Sequence, residues 1–413
     1  MTAYRLVILC SLLAVFVLEL AARLFNLRAF PEAPPAVLAG FIDRERHRRA
    51  GAYQRAAARL GIVSDLTGLV LLVAAIQGGW LGLLDGLVRE LPLSAIGLGL
   101  IFFAAVGLVQ GLVDLPFAAW RTFRLEARFG LNRTSPATFV LDRLKGAALA
   151  AVIGGPLLAA ILWFFGAFGP LAWLAALVLV SLVAAVLQYL APACILPLFN
   201  RYQPLPDGEL KSRLTALAGR LGFHLAGIFV MDGSRRSTRA NAFFTGFGAK
   251  KRIALFDTLL GALTPAEIEA VLAHEIGHWQ LGHVRRLFAL SVARTAVFLG
   301  LMAVFVDSPG LVRAMGFTVP SVYAGLLSFA VLAAPLGLVL SAVTGAFSRA
   351  YEREADEFAA KASEAADLRT ALIKLSIENV SHPSPHPLMV ALHHNHPPLA
   401  ERLDRLERLE RRT

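Results

Sequence analysis

Cysteine is nearly absent from this 413-residue chain, with Cys10 and Cys194 the only two. Both fall in apolar runs, which excludes a disulfide framework and a cysteine-based metal site. Charge is scarce as well. Asp, Glu, Lys and Arg make up 17% of the residues, where a soluble chain carries about a quarter. With 57% hydrophobic content and a mean hydropathy of +0.63, an ordinary soluble globule is excluded. Lysine is the rarest cation, 6 against 34 arginines, which hints at a GC-rich bacterial genome.

What replaces charge is a set of apolar runs. Seven are long enough to cross a bilayer, roughly 5–25, 62–86, 93–117, 147–168, 171–195, 287–306 and 322–346. Glu19 interrupts the first. No clean small-residue cleavage site follows it, and Arg23 and Arg28 flank its far end, so it reads as an uncleaved anchor.

The basic residues orient these runs. The first connection carries Arg28, Arg44, Arg46, Arg48, Arg49, Arg55 and Arg59, and the third carries Arg121, Arg124, Arg128, Arg133, Arg143 and Lys145. The second holds only Arg89, the fourth no Lys or Arg, and the sixth only Arg313. Positive charge stays on the cytoplasmic side, so the N-terminus lies outside and the C-terminus inside. The net charge of +11 follows from this bias. It marks a lipid bilayer as partner, not nucleic acid. The chain divides into a membrane region over residues 1–195, a soluble region over 196–286, two further spans over 287–346 and a soluble tail over 347–413.

His274-Glu275-Ile276-Gly277-His278 lies in a helical run. Residues four apart share a helix face, so both imidazoles can point at one metal ion. Glu275 is placed to take a proton from a metal-activated water, the arrangement of a zinc hydrolase. Thr264, Pro265 and Glu267 open the helix with a capping box. No breaker is read until Asp307-Ser308-Pro309, so one helix is expected to run from Pro265 into the sixth span. That places His278 roughly 14 Å from the apolar run, at the cytoplasmic interface.

A third ligand is needed. If the last two spans form a hairpin, Glu352 emerges at a depth similar to His278, whereas Glu354 points elsewhere. Asp356, one turn on, is placed to hold the tautomer of a ligand histidine. A solvated juxtamembrane face bearing Glu352, Glu354 and Asp356 is the competing reading. In the tail, His382, His386, His393, His394 and His396 cluster. Each alone is more often structural, but His396 near the metal can stabilise an oxyanion. The soluble region reads as a helix over 207–221 and strands over 227–231, 242–247 and 252–256, with a basic turn at 248–251 joining the last two as a hairpin.

These residues together resemble the type I CaaX prenyl proteases, multi-span zinc metalloproteases. The resemblance rests on His274 to Trp279 followed by His283, on Ser348-Arg349 with Glu352 and Ala355-Asp356, and on His396-Pro397-Pro398 with Glu401-Arg402. Asn241 to Gly246 and Phe129 to Thr134 match further family segments. The resemblance implies a mainly α protein, with seven helices around a chamber and a cytoplasmic zinc domain holding a small sheet. It implies one Zn²⁺ on His274, His278 and Glu352, with Glu275 as base and His396 at the transition state. Asp356 and Arg402 support the ligands, and Asn241, Ala242 and Phe243 meet the substrate backbone. The substrate is then a peptide or protein with a prenylated C-terminal Cys-a-a-X, and the location a bacterial inner membrane. A bacterial membrane-protein quality-control protease would use the same chemistry without a prenyl requirement. A transporter with an incidental histidine pair fits the spans but not Glu352.

Overall fold

A computed structural model describes residues 3–38, 40–245 and 251–411. Among them, six helices are long and apolar enough to cross a bilayer, and a bent pair makes a seventh span. They are α1 (Ala3–Arg28), α2 (Arg44–Gln77), α3 (Ala95–Glu126), α4 (Pro136–Ala167) and α5 (Gly169–Phe199). After the soluble helices α6 (Glu209–Arg220) and α7 (Pro265–Gln280) come the span α8 (His283–Phe305) and the pair α9 (Val322–Leu332) and α10 (Ala334–Ala362). Three helices close the chain: α11 (Ala365–Glu378), α12 (Pro387–His393) and α13 (Leu399–Glu410).

The spans pack in chain order. Each of α1 to α5 touches the next, α5 touches α8, α8 touches α9 and α10, and both return to α1. The helix α9 touches α1, α3, α4 and α8 before the chain bends by 59° into α10. Tyr323, Ala324, Gly325, Leu326, Ser328 and Phe329 of α9 are all buried. Tyr323, Ala324, Leu326 and Phe329 pack with Phe102, Leu162, Leu299, Met302 and Val306 into one apolar core. The short helix Trp80–Arg89 adds Val88 to this core, with Leu81 and Leu84 packed against it. Asp85 is buried there, accepts from the Tyr323 hydroxyl and pairs with Arg89 Nε at 2.8 Å. Arg89, the one cation of its connection, is therefore a partner of this core as well as an orientation signal.

Among the described residues the sheet has four strands, β1 (Tyr202–Pro204), β2 (Leu225–Met231), β3 (Ala242–Thr245) and β4 (Lys251–Phe256), in the order β1-β2-β4-β3. β2 and β4 run parallel, and the other pairs are antiparallel. The expected turn at 248–251 and the end of the expected strand at Gly246-Phe247 lie largely outside the described residues. β3 nevertheless pairs antiparallel with β4, Ala242 opposite Leu255 and Phe243 opposite Ala254. β1 was not read from the sequence, because three residues after a span carry no alternation.

One expectation is corrected. No single helix runs from Pro265 into the sixth span. α7 ends at Gln280 and α8 begins at His283, with Gly282 at φ 72° between them. L-residues avoid that left-handed backbone and glycine does not, so Gly282 is the breaker. It went unread because helical patterns flank it on both sides.

In α9, a Cβ on Gly325 would collide with the backbone carbonyl of Val306. A carbonyl cannot rotate away as a side chain can. Gly325→Ala should therefore destabilise the protein by about 1–3 kcal/mol, read as a lower melting temperature in detergent. An unchanged melting temperature would mean that α8 and α9 pack less closely.

Candidate active site

α7 opens as its sequence dictates. Thr264 accepts from Glu267 N while the Glu267 carboxylate accepts from Thr264 N. Glu267 also pairs with Lys374 of α11 at 2.7 Å. The helix then lies against α10, closely enough that a Cβ on Gly277 would be 3.0 Å from Phe358 Cδ1. The glycine inside the histidine motif allows this approach.

The approach brings three ligand-type side chains together. His278 Nε2 is 3.2 Å from His274 Nε2 and 3.1 Å from Glu352 Oε1, and His274 Nε2 is 3.4 Å from Glu352 Oε2. All the ligand atoms lie within 4.8 Å of one another. Four ligands at about 2.1 Å around a tetrahedral cation stand roughly 3.4 Å apart. The spacing and the two-imidazole, one-carboxylate donor set both fit a single divalent ion. His274 and Glu352 are buried, while Glu275 on the same helix is half-buried.

Supporting groups surround this cluster. His274 Nδ1 lies 2.9 Å from Asp356 Oδ1. Asp356 in turn accepts both arms of Arg402 from α13, Nε at 2.8 Å and Nη2 at 2.6 Å. His396 is exposed, with Nδ1 2.7 Å from Glu352 Oε2. Burial disfavours a charged His274, but hydrogen bonding to Asp356 and Glu352 outweighs it and pushes its pKa up to about 9. Arg402 is also buried, and the charges of Asp356 and Glu352 raise its pKa against that burial.

The structure thus brings His274, His278, Glu352, Asp356, Arg402 and His396 into one cluster, with Glu275 beside it. It does not tie Asn241, Ala242 and Phe243 to that cluster by any direct contact. They lie at the start of β3, whose outer side no strand covers among the described residues. Their entry is held firmly. The Asn379 side chain accepts from Ala240 N and donates to Ala240 O, at 3.1 and 3.2 Å. The 129–134 segment braces the same stretch, through Asn132 bridging Ser237 and Arg133 N bonding Arg236 O. Of the other tail histidines, His382 meets Asn26 O, His386 caps α12 through Leu388 N, and His393 pairs with Glu19 of α1 at 2.8 Å.

The sequence reading gave two residues of the site no role. His283, noted there only as part of the resemblance, is fully buried beside His278, and Glu354, set aside there, is its partner. His283 lies five positions after His278, a spacing that places them on different faces of a continuous helix. Only the break at Gly282 brings them together.

Helices crossing a membrane, joined to a His-Glu-x-x-His helix with a carboxylate brought in from another helix, define a membrane metallopeptidase. Comparison with known proteins agrees. Residues 23–201 match the family described as CAAX prenyl protease N-terminal, five membrane helices, and residues 204–410 match peptidase family M48. The chain is 35% identical to the CAAX prenyl protease 1 homolog of Arabidopsis thaliana, covering 92% of this chain and 91% of that one. It is 34% identical to CAAX prenyl protease 1 of Saccharomyces cerevisiae, covering 90% and 88%. It also superposes on the crystal structure of S. mikatae Ste24p with a TM-score of 0.93 at 33% identity, covering 98% of this chain and 100% of that one. The chain belongs to the CAAX prenyl protease branch of peptidase family M48.

Two expectations follow from the cluster. Arg402→Leu takes both guanidinium hydrogen bonds from the buried Asp356 and leaves it only His274 as partner, which should cost about 3–5 kcal/mol, whereas Arg402→Leu with Asp356→Leu should recover some of that loss. Equal melting temperatures for the two variants would show that the pair is not coupled. Second, His274 is raised above its ordinary value of about 6.5. Its contribution to metal-free protein is complete below that pH and is lost as pH rises through about 9. Chelator-treated protein should therefore melt lower at pH 9 than at pH 6.5, and His274→Gln should flatten that slope.

Proposed function

We propose that this protein is a zinc endopeptidase that removes the C-terminal residues of prenylated Cys-a-a-X substrates at the cytoplasmic face of its membrane. The convergence of His274, His278 and Glu352 within 4.8 Å carries the reading. The names of the relatives, CAAX prenyl protease 1, support the substrate class. The arginine-rich first and third connections support a cytoplasmic site, and the arginine-heavy composition supports a bacterial inner membrane.

His274, His278 and Glu352 would hold the metal, and two histidines with one carboxylate is a donor set of catalytic zinc. When bound, zinc supplies Lewis acidity for the scissile carbonyl and for water. Glu275 accepts the proton of the attacking water at its carboxylate and returns it to the leaving amine. His396, exposed beside Glu352, donates to the oxygen that becomes negative in the transition state. Asp356 accepts the Nδ1 proton of His274, which leaves the Nε2 lone pair facing the site, and Arg402 keeps Asp356 ionised. The substrate adds a strand to the free edge of β3 beside Asn241, Ala242 and Phe243, so backbone pairing supplies affinity with loose side-chain demands.

Glu275→Gln should retain zinc and lower peptide hydrolysis by about 10²–10⁴-fold, whereas His278→Ala should lose both. Wild-type turnover by Glu275→Gln would remove the base assignment. Purified protein should cleave a farnesylated Cys-a-a-X peptide in preference to its unprenylated twin. Equal cleavage of the two peptides would keep the protease and discard the lipid requirement, as membrane-protein quality control would predict.

A further inference from the structure

His283 is fully buried, stacked on Tyr351 with ring centroids 4.6 Å apart and planes 13° from parallel. It makes two polar contacts. Its Nδ1 is 3.0 Å from His278 Nδ1, and its Nε2 is 3.0 Å from Glu354 Oε2. Two imidazole nitrogens can share a hydrogen bond only if one carries the proton and the other a lone pair. If His278 is a metal ligand, which the proposed function requires, its Nε2 must present a lone pair. A neutral imidazole has one N–H, so that proton sits on Nδ1. His278 therefore donates and His283 Nδ1 accepts. The one proton of His283 is then on Nε2, where the Glu354 carboxylate accepts it. Metal ligation fixes the direction of every bond in the chain.

We infer that His283 is a positioning residue: held by Glu354 and stacked on Tyr351, it fixes the tautomer and ring orientation of His278 for metal binding. His274 Nδ1 lies directly beside a carboxylate, Asp356 at 2.9 Å, whereas His278 reaches its carboxylate through a second imidazole. The two ligands are thus braced by different chains, one anchored on Asp356 and Arg402, the other on Glu354. Glu354 also has Arg286 Nη1 at 3.8 Å. The longer chain is needed because α8 restarts at His283 after the break, which puts an imidazole, not a carboxylate, beside His278. Both carboxylate anchors sit on α10, at Glu354 and Asp356, so the helix that brings Glu352 also orients both histidines.

The test uses the full-length protein in detergent, with zinc affinity measured by chelator competition. His283→Phe keeps the ring and the stack on Tyr351 but removes the acceptor. His283→Asn places a carbonyl oxygen near the position of Nδ1. The Phe variant should bind zinc about 10–100-fold more weakly, and the Asn variant should stay close to the parent. Parent-like affinity in the Phe variant, or equal losses in both, would overturn the inference. Glu354 is half exposed, so its variants carry the same test should His283→Phe fail to fold. Glu354→Leu should bind zinc more weakly than Glu354→Gln, which retains an acceptor, and equal affinities would overturn the inference. His278→Ala separates failure of this inference from failure of the metal site beneath it. If that variant also binds zinc like the parent, His278 is no ligand and the proposed metal site itself falls.

Discussion

Two carboxylates buried one turn apart on α10 set the terms for the soluble half of this protein. Glu352 and Asp356 are removed from water almost completely. Buried charge is tolerated only when it is paired and hydrogen-bonded. The partners come from three other places in the chain: His274 and His278 on α7, Arg402 on α13, and His396 in the segment before it. Each must dock for the carboxylates to be satisfied. The packing of α7 and α13 against α10 and the assembly of the catalytic cluster are therefore one event.

Those partners are far apart in sequence, which explains what could and could not be read there. The seven apolar runs and the charge alternation are signals within single segments; six runs fall on single spanning helices and the seventh on the bent pair α9 and α10. The His274–His278 spacing is local to one helix, and the depth of Glu352 follows from the rise of a helix alone. Asp356 was legible one turn beyond Glu352, but Arg402 came from family resemblance alone, because no local pattern joins it to a residue 46 positions away. The roles of His283 and Glu354 were missed for a sharper reason. Their contact depends on the direction α8 takes after Gly282, and one left-handed glycine changes every later facing. β1 and the Asn379 clamp on Ala240 are likewise products of packing, without a pattern of their own.

The core around α9 and the catalytic cluster are built on opposite principles. In that core, α9 is buried among apolar side chains, with one polar knot of Asp85, Tyr323 and Arg89, and its closest approach depends on Gly325. At the histidine–carboxylate cluster, charged groups lie beside an apolar core of Leu272, Ala273, Ile276 and Ala359, and the fit depends on hydrogen-bond direction. An apolar core tolerates volume-conserving exchange, whereas a polar cluster built from oriented bonds tolerates little.

The break at Gly282 has a mechanical side. A continuous helix over α7 and α8 would be a rod of about 60 Å, with its outer half in lipid and its inner half carrying both histidines. Spans tilt as bilayer thickness varies, and such a rod would swing the imidazoles through an arc with every change of tilt. The joint at Gly282 uncouples the two halves, while His283, pinned to α10, limits the freedom of the first turn beyond it. The span can follow its lipid surroundings while the histidines keep station against Glu352.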